Sequence, residues 1–151
     1  MFKTMGRLLL LALVVLAAVL LTATLAGSGM ISLPVAIGLV IGANVGSGVL
    51  ALLSSSMQSA AGRRVALGSL LYKLLGLLLV LPLVEPLVHW MSGLGWSAAN
   101  LVITFHLAYN GLRCLLMLPS VGLMARLCSL LLPERVQDNG CLLYTSDAAD
   151  E

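Results

Sequence analysis

Lys73 and Arg113 are the residues most able to do chemistry, because each carries a charge inside a long apolar run. Ser69, Lys73 and Gly76 share one face of a predicted helix, and His106, Asn110 and Arg113 share one face of another, by spacings of three and four. Lys73 is the ninth residue of a helix read from Val65, which puts it roughly 12 Å along the axis, near mid-membrane. A central Lys costs roughly 2.5 to 3.5 kcal/mol to insert, so it should face a bundle interior and have a partner. No carboxylate stands at that depth, since Glu85 falls at the outer end of the helix. If the two faces meet, two cations converge on a site lined by hydrogen-bond donors. An oxyanion such as phosphate would relieve their repulsion, because a Lys point charge and an Arg fork both suit it. Two competing readings stay open: Lys73 bonds to carbonyls or to another part of the protein, and Arg113 snorkels to the interface.

A second group lies in Gly42-Ala43-Asn44-Val45-Gly46-Ser47-Gly48, the centre of an apolar stretch from Ile31 to Leu53. Polar side chains among glycines at mid-depth predict a discontinuous helix whose free ends would line a substrate site. Asn44, Gly46 and Ser47 are the candidates there. Asn44, Ser47 and the carbonyls released by such a break would be neutral, hard oxygen ligands suited to sodium. The alternative is plain helix packing, because Gly38, Gly42 and Gly46 also form a small-xxx-small stripe. The segment is neither a dinucleotide fingerprint nor a Walker sequence, and no strand precedes it.

His106 and Asn110 read equally as interhelical glue or as site lining. His89, beside Trp90, reads as interfacial and structural. Cys114 and Cys128 lack metal-ligand spacing and read as packing residues, so neither a metal site nor a disulfide framework is expected. No nucleophile-base arrangement or carboxylate pair is legible, and enzyme function is not expected. Nothing suggests a nucleic-acid partner.

The chain that must position these residues has 151 residues, 60% hydrophobic and 9% charged, with a mean hydropathy of +1.09. A typical soluble domain carries about 25% charged residues. From Leu8 to Gly62 there is no charged residue or histidine, a span more than twice the roughly 20 residues a bilayer crossing needs. These runs are continuously apolar rather than alternating, which excludes an outer-membrane barrel. The expectation is an all-α integral membrane protein with about four transmembrane helices.

The first helix is read from about Arg7 to Ala26, although Lys3, Arg7 and the run to Leu21 also resemble a signal peptide. Gly27-Ser28-Gly29 predicts a tight turn and Pro34 a helix start. Arg63 and Arg64 mark a cytoplasmic connector two crossings after Lys3 and Arg7, in line with the positive-inside bias. A third helix, Val65 to Val84, is expected to end at Pro82, Glu85 and Pro86, with Leu87 to Trp96 at the outer surface or dipping back. A fourth, Ser97 to Leu118, returns to Pro119. Val121 to Leu132 is a short surface helix or a continuation, and both termini are cytoplasmic. Leu71-Tyr72-Lys73-Leu74-Leu75-Gly76 and Ala108-Tyr109-Asn110-Gly111-Leu112-Arg113 form a weak internal echo.

Three segments give the chain a likeness to a known family. Gly42-Ala43-Asn44-Val45-Gly46, Arg63 to Gly76, and Phe105-His106-Leu107-Ala108-Tyr109-Asn110 resemble, in order and spacing, motifs of the sodium/phosphate cotransporter family, in its bacterial branch with a PhoU-like helical bundle. The resemblance covers about 22–134, the second of the family's two membrane repeats, and implies half of an inverted-repeat transporter. Its Q-S-S-S signature is missing: residues 14–21 are aliphatic, and Ser54-Ser55-Ser56 follows the glycine motif instead of preceding it. Residues 1–21 are then an apolar helix of uncertain origin, and 135–140 begin a missing cytoplasmic region. Cys141 to Glu151 resembles translated sequencing-adapter read-through. The implied function is part of a sodium-dependent transporter, by symport or export, moving inorganic phosphate across the bacterial inner membrane. Sodium is then the coupling ion, no further cofactor is implied, and the partners are the lipid bilayer and either the missing first repeat or a homo-oligomer. The alternatives are a small membrane scaffold without transport activity and a leader-like protein.

Overall fold

A computed structural model describes residues 2–133, and these are helical apart from short turns. The segment Cys141 to Glu151 and the cytoplasmic region expected from residue 135 lie outside the described residues. Helix α1, Phe2–Gly27, ends in a Schellman motif. Met30 N–H donates to Leu25 O at 3.0 Å and Gly29 N–H to Ala26 O at 3.1 Å, with Gly29 in the left-handed region at φ 75°. Helix α2, Leu33–Ser54, starts with Pro34 in its first turn. Its missing N–H is one of the helix's unpaired donors in any case.

The interruption expected at Gly42–Gly48 is corrected by the structure: α2 is one unbroken helix of 22 residues. Asn44 Nδ2 donates to Val40 O at 3.1 Å and Ser47 Oγ to Asn44 O at 2.7 Å, so both side chains find partners on their own helix. Each glycine weakens a helix by only about 1 kcal/mol. Opening the ladder in hydrocarbon would cost several kcal/mol for each unpaired backbone group. Continuity wins, and no half-helix ends or released carbonyls face a ligand here.

Helix α3, Ala60–Val80, is capped by Ser59, whose Oγ accepts from Gly62 N–H at 3.3 Å. It begins five residues earlier than the expected Val65, so Lys73 lies about 20 Å along its axis. The helix does not close at Pro82. One 3-10 turn, Leu81–Leu83, absorbs that proline, and helix α4, Val84–Ser92, continues the run. Pro86 falls in the first turn of α4, where a proline is tolerated, so the expected surface stretch from Leu87 is helix as far as Ser92. Trp90 and Trp96 are both more than half exposed beside the Gly95 turn.

Helix α5, Ala98–Met117, is capped by Ser97 and runs through a 3-10 turn at Leu118–Ser120 into helix α6, Val121–Leu131. The stretch after Pro119 is therefore a continuation of α5. The weak echo in sequence has a structural counterpart. From Tyr72 to Tyr109, from Pro82 to Pro119, and from the start of α4 to that of α6, the same offset of 37 residues recurs.

Three helical runs are long and apolar enough to cross a membrane: Leu33–Ser54, Ala60–Ser92 and Ala98–Leu131. Helix α1 adds a shorter apolar stretch, Leu13–Gly27. The small core is built from Ala23 and Ala26 of α1, Ala36, Ile37, Val40 and Ile41 of α2, Met91 of α4, and Leu101, Val102, Phe105 and Tyr109 of α5. Alanines here, and Gly27 lying 3.1 Å from Ala99 Cβ if given a Cβ of its own, let α1 press closely on α5. Outside this core, leucines stand exposed along every long helix, among them Leu53, Leu78, Leu115 and Leu130. Apolar surface on that scale suits a lipid environment.

Candidate functional site

The site forms where α2, α3 and α5 come closest through glycines. Gly48 lies four residues after Asn44 on the inward face of α2. A Cβ there would sit 2.9 Å from Lys73 Cδ, 3.1 Å from Leu70 Cδ1 and 3.4 Å from Leu70 Cα. The bare backbone therefore accepts the aliphatic stem of Lys73 across it. At its tip, Lys73 Nζ donates to Ser47 Oγ at 2.8 Å. Ser47 in turn donates to the Asn44 carbonyl. The ammonium thus bonds one neutral hydroxyl, and Glu85 is the one carboxylate in the sequence among the described residues.

One turn further along α3, Gly76 opens the matching gap towards α5. A Cβ on Gly76 would meet Tyr109 Oη at 2.7 Å and Arg113 Cδ at 3.1 Å. The two helix faces inferred from spacing therefore do meet, with Gly76 as the contact. Arg113 Nη2 donates to Asn110 Oδ1 at 2.9 Å. Asn110 Nδ2 donates to His106 O at 2.8 Å and lies 3.3 Å from His106 Nδ1. His106 and Asn110 thus bond along their own helix, and Asn110 holds Arg113 in place. The guanidinium carbon lies 5.7 Å from the Tyr109 ring centroid, within cation–π range, and Tyr109 stacks on Phe105 at 5.7 Å.

Two polar atoms in this cluster are buried without any hydrogen-bond partner: Tyr109 Oη and Arg113 Nη1. Tyr109 is 7% exposed. Leaving such a donor unmade costs about 1–3 kcal/mol, more for a charged group. Both stand beside Gly76, one turn from Lys73, so the cluster holds unused donors next to two cations.

Of the seven residues singled out from sequence, Ser47, Lys73 and Arg113 take part in this cluster directly. Asn110 and His106 stand behind Arg113. Asn44 is buried, with its amide turned onto its own helix, and reaches the cluster through its backbone carbonyl. Gly46 lies outside this cluster, exposed, and a Cβ there would meet nothing within 4 Å. Two residues along a helix is about 200° around it, so Gly46 faces away from the side that Gly48 presents. Gly38 and Gly42 are open in the same way. Sequence reasoning missed Gly48 and Tyr109. The four-residue step from Asn44 to Gly48 was the available signal for the first. Ser69 leaves the cluster and lines a groove against α6. Cys128 is buried, as a packing residue should be, whereas Cys114 is exposed. Among the described residues no group of His, Cys, Asp and Glu could hold a metal ion.

Comparison with known proteins gives a consistent set of relatives. The chain is 58% identical over 113 residues to the "Putative inorganic phosphate export protein YjbB" of Salmonella typhimurium, and 59% identical over 113 residues to the proteins of the same name from Escherichia coli K12 and Shigella flexneri. Each match takes in 75% of this chain and 21% of the relative, so the chain spans about a fifth of the length of the curated relatives it matches. No family model matches the chain. No solved structure matches it either.

Proposed function

We propose that this chain supplies one side of a transmembrane site for inorganic phosphate, with Lys73, Arg113, Tyr109 and Ser47 facing the anion. The observation that carries this reading is the pair of buried, unpartnered donors, Tyr109 Oη and Arg113 Nη1, beside the close contact at Gly76. Phosphate would satisfy both donors and offset the repulsion between Lys73 and Arg113. The relatives' printed name supports phosphate as the ion and export as the direction. The absence of any legible nucleophile-base pair favours movement of the ion over chemistry on it.

The proposal extends to sodium coupling, a bacterial inner-membrane location, cytoplasmic termini and a role as the second of two inverted membrane repeats in a sodium/phosphate cotransporter of the branch bearing a PhoU-like bundle. Of the neutral ligands weighed for sodium, Asn44 Oδ1 remains, since α2 releases no carbonyls and Ser47 Oγ already accepts from Lys73. The test is phosphate flux in proteoliposomes containing a full-length transporter built around this segment, with sodium and pH gradients imposed separately. Flux driven by sodium supports the reading, and flux driven by pH alone and indifferent to sodium contradicts the coupling. The scaffold alternative draws on the exposed Gly38–Gly42–Gly46 stripe, which could seat a partner helix with no dependence on anions.

A further inference from the structure

We propose that the groove between α3 and α6 binds one anionic phospholipid, its acyl chain lying along the groove and its phosphate on Arg64. The groove has a volume of about 380 Å³, within the range of small-molecule sites, and is walled by Ala61, Val65, Gly68, Val121, Met124 and Ala125. Two of its three wall hydroxyls are already occupied, the third being Ser69 on the α3 side. Tyr72 Oη pairs with Ser120 Oγ at 3.0 Å, and Ser129 Oγ donates to Ala125 O at 2.9 Å, so neither hydroxyl is left to hold a polar ligand. What remains is a largely apolar trough, with the Ser69 hydroxyl on one wall and a single charge, Arg64, at one end.

That charge is placed at headgroup depth. Arg64 stands in the first turns of α3, while the deepest wall residue, Tyr72, is twelve residues into the helix. From Ala61 to Tyr72 the groove runs about 16 Å, close to half of a hydrocarbon core of about 30 Å, which is the depth of one leaflet. Arg64 Nε donates to Leu132 O at 2.9 Å, tying the end of α6 to the start of α3. Its two terminal nitrogens remain for a phosphate, which a guanidinium can hold bidentately. Gly68 allows the close crossing, with Cys128 Sγ 3.4 Å from where its Cβ would lie. A basic residue at the mouth of an apolar interhelical groove is the arrangement that recognises anionic lipid headgroups. This site is separate from the cluster at Gly76.

The experiment is native mass spectrometry of the purified full chain in detergent, offered phosphatidylglycerol or phosphatidylcholine with identical acyl chains. The wild type should retain phosphatidylglycerol about fivefold or more over phosphatidylcholine. Arg64→Gln should erase that preference while Arg64→Lys keeps part of it. Arg63→Gln, at an exposed position outside the groove, should leave it intact. Ala125→Phe, which fills the groove from α6, should weaken retention of both lipids, with helix content checked by circular dichroism. Equal retention of the two lipids by the wild type, a preference that survives Arg64→Gln, or retention unchanged in folded Ala125→Phe would each overturn the proposal.

Discussion

Lys73 Nζ donates to Ser47 Oγ at 2.8 Å, and the stem of Lys73 crosses α2 at Gly48, one turn before Gly76 admits Arg113 and Tyr109 from α5. A single turn of α3 thus carries both interhelical contacts of the polar cluster. Each contact depends on a missing methyl group, which makes glycine substitutions informative.

Gly48→Ala should destabilise the protein by about 1–3 kcal/mol, because the new methyl meets the Lys73 stem at 2.9 Å and the Leu70 side chain at 3.1 Å and both must give way. Gly46→Ala, at an open position, should be neutral or stabilising by up to about 1 kcal/mol through helix propensity. Thermal unfolding in detergent compares the two, and equal losses would show that Gly48 is not a close approach.

Gly76→Ala should lower phosphate affinity about tenfold by displacing Tyr109 Oη and Arg113 Cδ from their contact with α3. Adding Tyr109→Phe removes the clashing oxygen and should restore stability without restoring affinity. Recovery of both, measured by equilibrium binding and unfolding, would mean that the Tyr109 hydroxyl plays no part in holding the anion.

Asn110→Ala should raise the apparent phosphate KM by about tenfold, since Arg113 loses the carbonyl that orients it. His106→Ala should do less, because Asn110 keeps its bond to the His106 backbone carbonyl. A larger effect at His106 would place that side chain on the ligand instead.

The proposed orientation is tested by impermeant cysteine labelling with Cys114 and Cys128 replaced. A cysteine at Ser92 should label in intact cells and one at Ser59 should not. The reverse pattern contradicts the topology drawn from Arg63 and Arg64.

Much of the fold was legible because it follows from backbone chemistry. Pro34 opens α2, and Gly29 takes the left-handed turn that only glycine adopts readily, whereas the Ser59 cap that starts α3 at Ala60 went unread and the helix was begun at Val65. Composition said less where two local outcomes compete. Asn44 and Ser47 looked like the markers of a broken helix, yet each can bond three or four residues back on an intact one. Pro82 looked like an end, yet one 3-10 turn lets the helix resume. At the site, helical spacing found the facing surfaces of α3 and α5, including Gly76. It could not tell which glycine of α2 faces inward, because that depends on where α3 packs. The unpartnered Tyr109 hydroxyl was invisible for the same reason, since its lack of partners is a property of three helices together.

The central claim, that Lys73 and Arg113 hold the anion, is tested most directly by radiolabelled phosphate flux in a full-length transporter carrying this segment, with Lys73→Met and Arg113→Gln compared at matched membrane expression. Each substitution should reduce flux about tenfold or more, with a raised apparent KM for phosphate. Normal flux and unchanged apparent affinity in both variants would contradict the account.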